Sequence, residues 1–392
     1  MSNGKLFTTG RIGPITLRNR SIRSAAFEGM CPGGIPSESL INYHRSLAAG
    51  GIGMTTVAYV SVTNGGRTFS HQSWMNRDIV SQLKILTDAV HKEGALASIQ
   101  LGHAGNMSDK KVSGERVIAP SGLLNLFGLI IPKKMTEDDI NGMIKSYGNA
   151  VMLAREAGFD AVEVHAGHGY LISQFLSPHT NRRSDKWGGS FENRARFLKA
   201  VMAEVKKTAR NDIAVIVKTN LEDGFKGGVD KDESIEVAKI LESEGADALI
   251  LSGGFVSKTP FYMMRGKNPH KELIKNQKDL LIKMGMVLFS RIVLKEYLYE
   301  EAFFLEDALR VRDAVKLPLI YVGGLLSSEK IEEVLHKGFD FVALARALVV
   351  EPDFINIIHE DRNHISKCRE CGPCNSCVAT MYDGEMRCTF IE

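Results

Sequence analysis

Cysteine is almost missing from this 392-residue chain until its end: of six, only Cys31 precedes Cys368. A disulfide framework spreads its cysteines through a small secreted domain, so that class is excluded. No run of about 18 apolar residues occurs, which leaves no candidate for a membrane-spanning helix. The opening "MSNGKLFTTGRIGP" has no apolar core of a secretory signal. The expectation is a cytoplasmic protein with no membrane partner. Net charge is only +3, and no Lys/Arg stripe interleaves with aromatics, so no nucleic-acid partner is expected. No G-x-G-x-x-G follows an early strand, which argues against a Rossmann dinucleotide domain.

What remains is an ordinary globular composition, 44% hydrophobic and 24% charged. Short runs rich in Val and Ile alternate with longer amphipathic segments. Eight runs read as strands: residues 21–26, 52–59, 95–101, 161–165, 213–219, 248–252, 317–323 and 341–346. They are nearly continuous in apolar character, as strands buried on both faces should be. Helices fall near 75–93, 136–158, 192–209, 231–244 and 328–337. In the second of these, Thr136 and Asp139 form a capping-box pattern, and Gly158 supplies a stop. Eight alternating units predict an α/β fold, a (β/α)₈ TIM barrel, with a doubly wound open sheet as runner-up. The barrel is expected over residues 1–360. An insertion at 255–312 precedes the seventh strand, and a Cys-rich segment covers 361–392.

The stretch "VHAGHGYLISQF" (164–175) ends the fourth strand with two imidazoles and a phenol within six residues. Barrel chemistry sits on the loops that follow strands, so His165, His168 and Tyr170 are candidates for it. Alternatives stay open. A strand-ending histidine is commonly a satisfied structural residue, Tyr170 could cap the core, and His165-x-x-His168 has a metal-compatible spacing without a nearby third ligand. Gly323-Gly324 could be a plain turn.

The run "HAGHGYLISQFLSPHTNRRSDKWGGSFENRARF" (165–197) resembles the signature of the old yellow enzyme family of FMN-dependent NAD(P)H oxidoreductases and ene-reductases. "LRNRSIRSA", "GGIGMTTVAYVSV", "QLGHAG", "IAPSG", "YVGG" and "ALARALVVEPDF" agree with it in order, over roughly residues 5–360. The resemblance implies FMN at the C-terminal mouth. Gly323, Gly324, Ala345 and Arg346 would clamp its phosphate. Gln100 and Lys218 would meet the pyrimidine edge, with Lys218 where the family often has Arg. Ala25, Ala26 and Ala58 would contact the ring. His165 and His168 would grip the oxygen of an activated alkene, and Tyr170 would protonate its α-carbon. NAD(P)H would donate in a ping-pong cycle, and a homo-oligomer is compatible with the family. One departure is Phe27, at the position where many members place a Thr or Cys near the flavin.

Cys371, Cys374, Cys377 and Cys388 space as C-x₂-C-x₂-C-x₁₀-C. Thiolates at such spacing suit a [4Fe–4S] cluster or zinc, or they hold no metal. Relatives that resemble 2,4-dienoyl-CoA reductase carry a similar run before further domains. Two functions therefore stand: an ene-reducing enzyme, or a flavin/Fe–S electron-transfer module serving a partner protein.

Overall fold

The computed structural model describes residues 4–125, 128–276, 283–284, 287, 294–369, 375–381 and 384–390. Eight parallel strands close into a barrel: β1 (Ser21–Arg23), β2 (Met54–Ser61), β3 (Leu96–Gly102), β4 (Ala161–His165), β5 (Ala214–Asn220), β6 (Ala248–Ser252), β7 (Leu319–Val322) and β8 (Phe341–Leu344). Each pairs with its neighbours in chain order, and β8 pairs back onto β1. All eight candidate strands form, with boundaries shifted by up to three residues. The main helices are α1 (Glu38–Ala49), α2 (Val80–Lys92), α3 (Glu137–Glu156), α4 (Phe191–Ala209), α5 (Lys231–Ser243), α6 (Leu305–Ala314) and α7 (Ser328–His336). Helix α1 has no counterpart among the sequence candidates. Helix α6 occupies the end of the 255–312 stretch and packs beside α5 as a regular barrel helix.

Strand periodicity separates two cores. In β4, Val162 and Val164 face the helices, while Ala161, Glu163 and His165 point into the bore; in β5, Val215 and Val217 face out, and Ala214, Ile216 and Lys218 face in. The lower bore is apolar, filled by Ile22, Met54, Ala161, Ala214, Ile216, Ile250, Ile320 and Phe341. A short hairpin, Gly10–Ile12 with Ile15–Leu17, plugs that end by adding Ile12 and Leu17 to the same cluster. Thr56 and Ser98, on the inward faces of β2 and β3, add two buried hydroxyls, and charged side chains enter at the C-terminal mouth.

Helix α3 starts where the sequence places it: Thr136 accepts from the Asp139 N–H at 3.2 Å, and Asp139 accepts from the Thr136 N–H at 2.8 Å. The "SDKWGG" loop is structural. Asn181 donates to the Phe175 and Trp187 carbonyls, and Arg183 donates to the Pro120 and Met135 carbonyls while pairing with Asp185. This tethers the loop after β4.

Candidate active site

The upper bore begins with three buried polar side chains from adjacent strands. Gln100 stands opposite Glu163 in the ladder, and Lys218 stands opposite His165. Glu163 Oε1 accepts from Gln100 Nε2 and sits 2.9 Å from Lys218 Nζ, with both charged side chains at most 2% exposed. Lys218 also reaches Ser24 Oγ at 3.4 Å and the Ala25 carbonyl at 3.3 Å. Among the described residues, Glu163 Oε2 is buried and has no hydrogen-bond donor.

One layer higher lies the loop after β4. Its glycines are required by packing: a Cβ on Gly167 would stand 2.6 Å from Asn220 Oδ1, and one on Gly169 would stand 2.6 Å from the Phe255 ring. Between them, His168 adopts a left-handed φ of 59°. Such a backbone costs on the order of 1–3 kcal/mol in a non-glycine residue. It is held by the His168 N–H donating to Asn220 Oδ1 at 3.0 Å and by the Val256 N–H donating to the His168 carbonyl at 3.0 Å. The loop therefore delivers an imidazole where a turn would place glycine.

The His165 and His168 rings lie 5.0 Å apart, edge to face, and the Tyr170 ring lies 4.7 Å from His165. Both histidines are neutral. Burial, then the Lys218 charge, pushes His168 down to about 3. Burial, then His168 and Lys218, holds His165 well below the ordinary imidazole range. The Gly167 N–H donates to His165 Nδ1 at 3.3 Å, so the His165 proton is on Nε2, available as a donor. His168 Nε2 hydrogen-bonds Ser252 Oγ at 2.8 Å. Among the described residues, no group of three or more His, Cys, Asp or Glu is placed to hold a metal ion.

Tyr59 is a neighbour that motif reading missed. A register shift between Val57 and Val60 re-aims the end of β2, and the Tyr59 ring lies 5.0 Å from Tyr170 and 6.3 Å from His165. Beside it, Phe27 stacks on Phe69 (5.0 Å, 16°) and His71 (5.6 Å, 28°), making a half-exposed aromatic wall at the mouth. No periodicity announces this wall, because its rings come from different loops. Ala25 and Ala26 lie just below it; the Ala26 carbonyl accepts from Arg23. The Ala58 N–H donates to Glu28 within the wall of the barrel. Burial pushes the Cys31 thiol up to about 12, which makes it unreactive.

Gly323, Gly324, Ala345 and Arg346 lie together after the paired strands β7 and β8. Gly324 has φ 72°, and its carbonyl accepts from Tyr299 OH at 2.6 Å. Arg346 lies over the Tyr299 ring at 5.4 Å and donates to the Arg265 carbonyl at 2.9 Å and to Asn375 Oδ1 at 3.3 Å. Insertion and tail thus meet at this corner. Among the described residues, the backbone N–H groups of Gly324, Ala345 and Arg346 have no acceptor. Free N–H groups beside a guanidinium suit a phosphate. With Lys218 and Gln100 across the bore, these residues fit FMN.

The tail docks on the loops that follow β1 and β2. The Met386 N–H donates to the Glu28 carbonyl at 2.7 Å, and the Met381 carbonyl lies 2.6 Å from His71 Nε2. Cys368, Cys377 and Cys388 line one cavity with Arg346. Cys371 and Cys374 lie outside the described residues, so the four-cysteine expectation has no described geometry.

Three comparisons bear on this site. The sequence model of the NADH:flavin oxidoreductase / NADH oxidase family matches residues 5–278. A 4,4'-dithiodibutanoate disulfide reductase from Rhodococcus erythropolis is 39% identical over 97% of this chain and 93% of its own length. An NADH oxidase from Thermoanaerobacter brockii is 30% identical over 93% of this chain, which spans 52% of that longer protein. The structure of an old yellow enzyme homologue from Zymomonas mobilis superposes with a TM-score of 0.73 at 24% identity, covering 93% of this chain and 95% of that one.

Proposed function

The chain belongs to the NADH:flavin oxidoreductase / NADH oxidase family, and on that premise we propose that this FMN-dependent NAD(P)H oxidoreductase reduces an activated C=C bond. FMN, when bound, stores the hydride between donor and acceptor. The chain supplies position and protons. The observation that carries the reading is the neutral His165–His168 pair, 5.0 Å apart, with the Tyr170 ring 4.7 Å from His165. A neutral His165 with its proton on Nε2 donates to a carbonyl oxygen without carrying charge into the bore. Charge developing on that oxygen is held by a donor already in place. A phenol ordinarily carries its proton at neutral pH, and Tyr170 is placed to deliver one to the α-carbon. Phe27 and Phe69 shield the mouth from water.

A second reading is reduction of a disulfide, favoured by the 39% identical relative. One residue separates the two. An alkene needs a proton on carbon, which Tyr170 supplies. A departing thiolate, with a pKa near 8.5, needs no strong acid at neutral pH. Tyr170→Phe should therefore lower C=C reduction about 10²–10⁴-fold and leave disulfide reduction nearly unchanged. Anaerobic mixing of NAD(P)H-reduced protein with 2-cyclohexenone should restore the oxidised flavin spectrum. A flavin that stays reduced with the enone and re-oxidises with a dithiodialkanoate moves the function to disulfides.

The tail cysteines enter through metal content. Iron near four equivalents per chain in purified protein would support a [4Fe–4S] cluster on Cys371, Cys374, Cys377 and Cys388 and the electron-transfer role. One equivalent of zinc would make the tail structural.

A further inference from the structure

We propose that Glu163 is a positioning residue that sets the reduction potential of the bound FMN, acting as the counter-ion that holds Lys218 and Gln100 and moderates the Lys218 charge. The inference rests on FMN binding and not on the identity of the acceptor.

The geometry carries it. Glu163 is the middle inward residue of β4, one layer above Ala161 and one below His165. Beneath it the bore is mostly apolar, with the Thr56 and Ser98 hydroxyls as polar exceptions that have no hydrogen-bond partner among the described residues. A carboxylate set on such a floor loses its hydration and needs partners to remain charged. It has two, both on Oε1: Lys218 at 2.9 Å and the Gln100 amide. These are the two side chains that would meet the flavin's polar edge. Glu163 touches neither mouth nor solvent, since it is 1% exposed. It therefore acts through its partners.

Lys218 has few other anchors. Ser24 Oγ and the Ala25 carbonyl are 3.4 and 3.3 Å away, at the long end of hydrogen bonding. The carboxylate is thus the strongest contact fixing the ammonium height. It also cancels part of the field that Lys218 projects upward. That field is felt in the loop above, where the Lys218 charge helps to keep both His165 and His168 neutral. A reduced flavin carries negative charge near its pyrimidine edge, so an unshared ammonium would favour reduction more than a shared one. Glu163 holds the potential lower than Lys218 alone would, leaving the reduced flavin a stronger hydride donor.

The unpaired Oε2 is the second observation. A carboxylate placed purely to stabilise the barrel would use both oxygens. This one leaves an acceptor buried beside Lys218 and Gln100.

The test uses the FMN-loaded protein and two readouts that need no acceptor substrate: the midpoint potential against a reference dye, and the affinity for sulfite, whose flavin adduct is favoured by positive charge. Glu163→Gln should shift the oxidised/reduced ratio at least tenfold towards reduced, about 30 mV for a two-electron couple. It should also tighten sulfite about tenfold. Lys218→Met should move both the other way, and Glu163→Gln should have little further effect in that background. Values for Glu163→Gln within twofold of wild type, with FMN retained, overturn the proposal. Should Glu163→Gln lose FMN, Glu163→Asp, with its carboxylate drawn back by one methylene, should still raise the potential. No shift there overturns the proposal equally. A wild-type protein that ignores 2-cyclohexenone sinks the alkene reading and leaves these outcomes unaffected.

Discussion

Of the carboxylates buried near the mouth of this barrel, Glu28 and Glu163 are treated differently. Glu28 pairs with Arg23 at 2.6 Å, and its oxygens accept from the Ala58 N–H at 3.1 and 3.2 Å. His44 Nε2 lies 3.4 Å away. Arg23 in turn donates to the Thr56 and Ala26 carbonyls at 2.6 and 2.8 Å. Burial works against the Arg23 charge, yet Glu28 and Tyr43 outweigh it and raise its pKa above the ordinary value. Glu163 uses one oxygen for both of its partners and leaves the other bare. Saturation on one side and an open acceptor on the other separate a fastening between β1 and β2 from a group that acts through Lys218 and Gln100.

Removing each charge should expose the difference. Glu28→Gln leaves Arg23 buried with its main partner gone and should cost about 3–5 kcal/mol, read from denaturant unfolding. A loss below 1 kcal/mol would mean that water reaches this pair.

Acid should attack both regions through their histidines. His44 is lowered by burial, which outweighs the raising effect of Glu28 beside it; His165 and His168 are lowered by burial and the Lys218 charge, and His103 lies at about 3 from burial alone. Their folded pKa values lie below the unfolded value near 6.5, so the unfolded chain binds more protons in that window. Stability is full above about pH 6.5 and should fall as pH drops towards 3, by on the order of 1 kcal/mol per histidine per unit. Melting temperature against pH checks this. A melting temperature flat from pH 7 to 4.5 would place these rings in water.

In the FMN-loaded protein Glu163→Gln should cost less than Glu28→Gln, about 1–3 kcal/mol, because the flavin edge would remain a partner for Lys218 and the amide can still meet Gln100. Equal losses at the two positions would erase the distinction drawn above. The smallest effect calibrates the scale. Thr136→Ala at the α3 capping box touches neither carboxylate and should cost about 1 kcal/mol with unchanged flavin absorbance.

Legibility in the sequence followed the same division. His165, His168 and Tyr170 are readable because they stand in one short run. Glu163 was readable in principle, since period two puts it on the face of His165, but it lies inside an apolar run and draws no motif. Tyr59 was not readable, because the irregularity after Val57 decides where its ring goes. Arg346 was readable as a cation near the end of β8, whereas its engagement by Arg265, Asn375 and Tyr299 belongs to segments far away in sequence.

By itself the sequence determined the eight-strand alternation, the capping of α3, the family and the residue types on the β4 loop. These are local or periodic properties, set by which side chains follow one another. Only the tertiary structure decided that Phe27, Phe69 and His71 form one wall, that the tail fastens to Glu28 and His71, and that one carboxylate is saturated while the other is not. Closing a barrel brings residues 50 to 350 positions apart within hydrogen-bonding reach, and which partners a buried charge then finds depends on the register and the packing of loops that no linear pattern encodes.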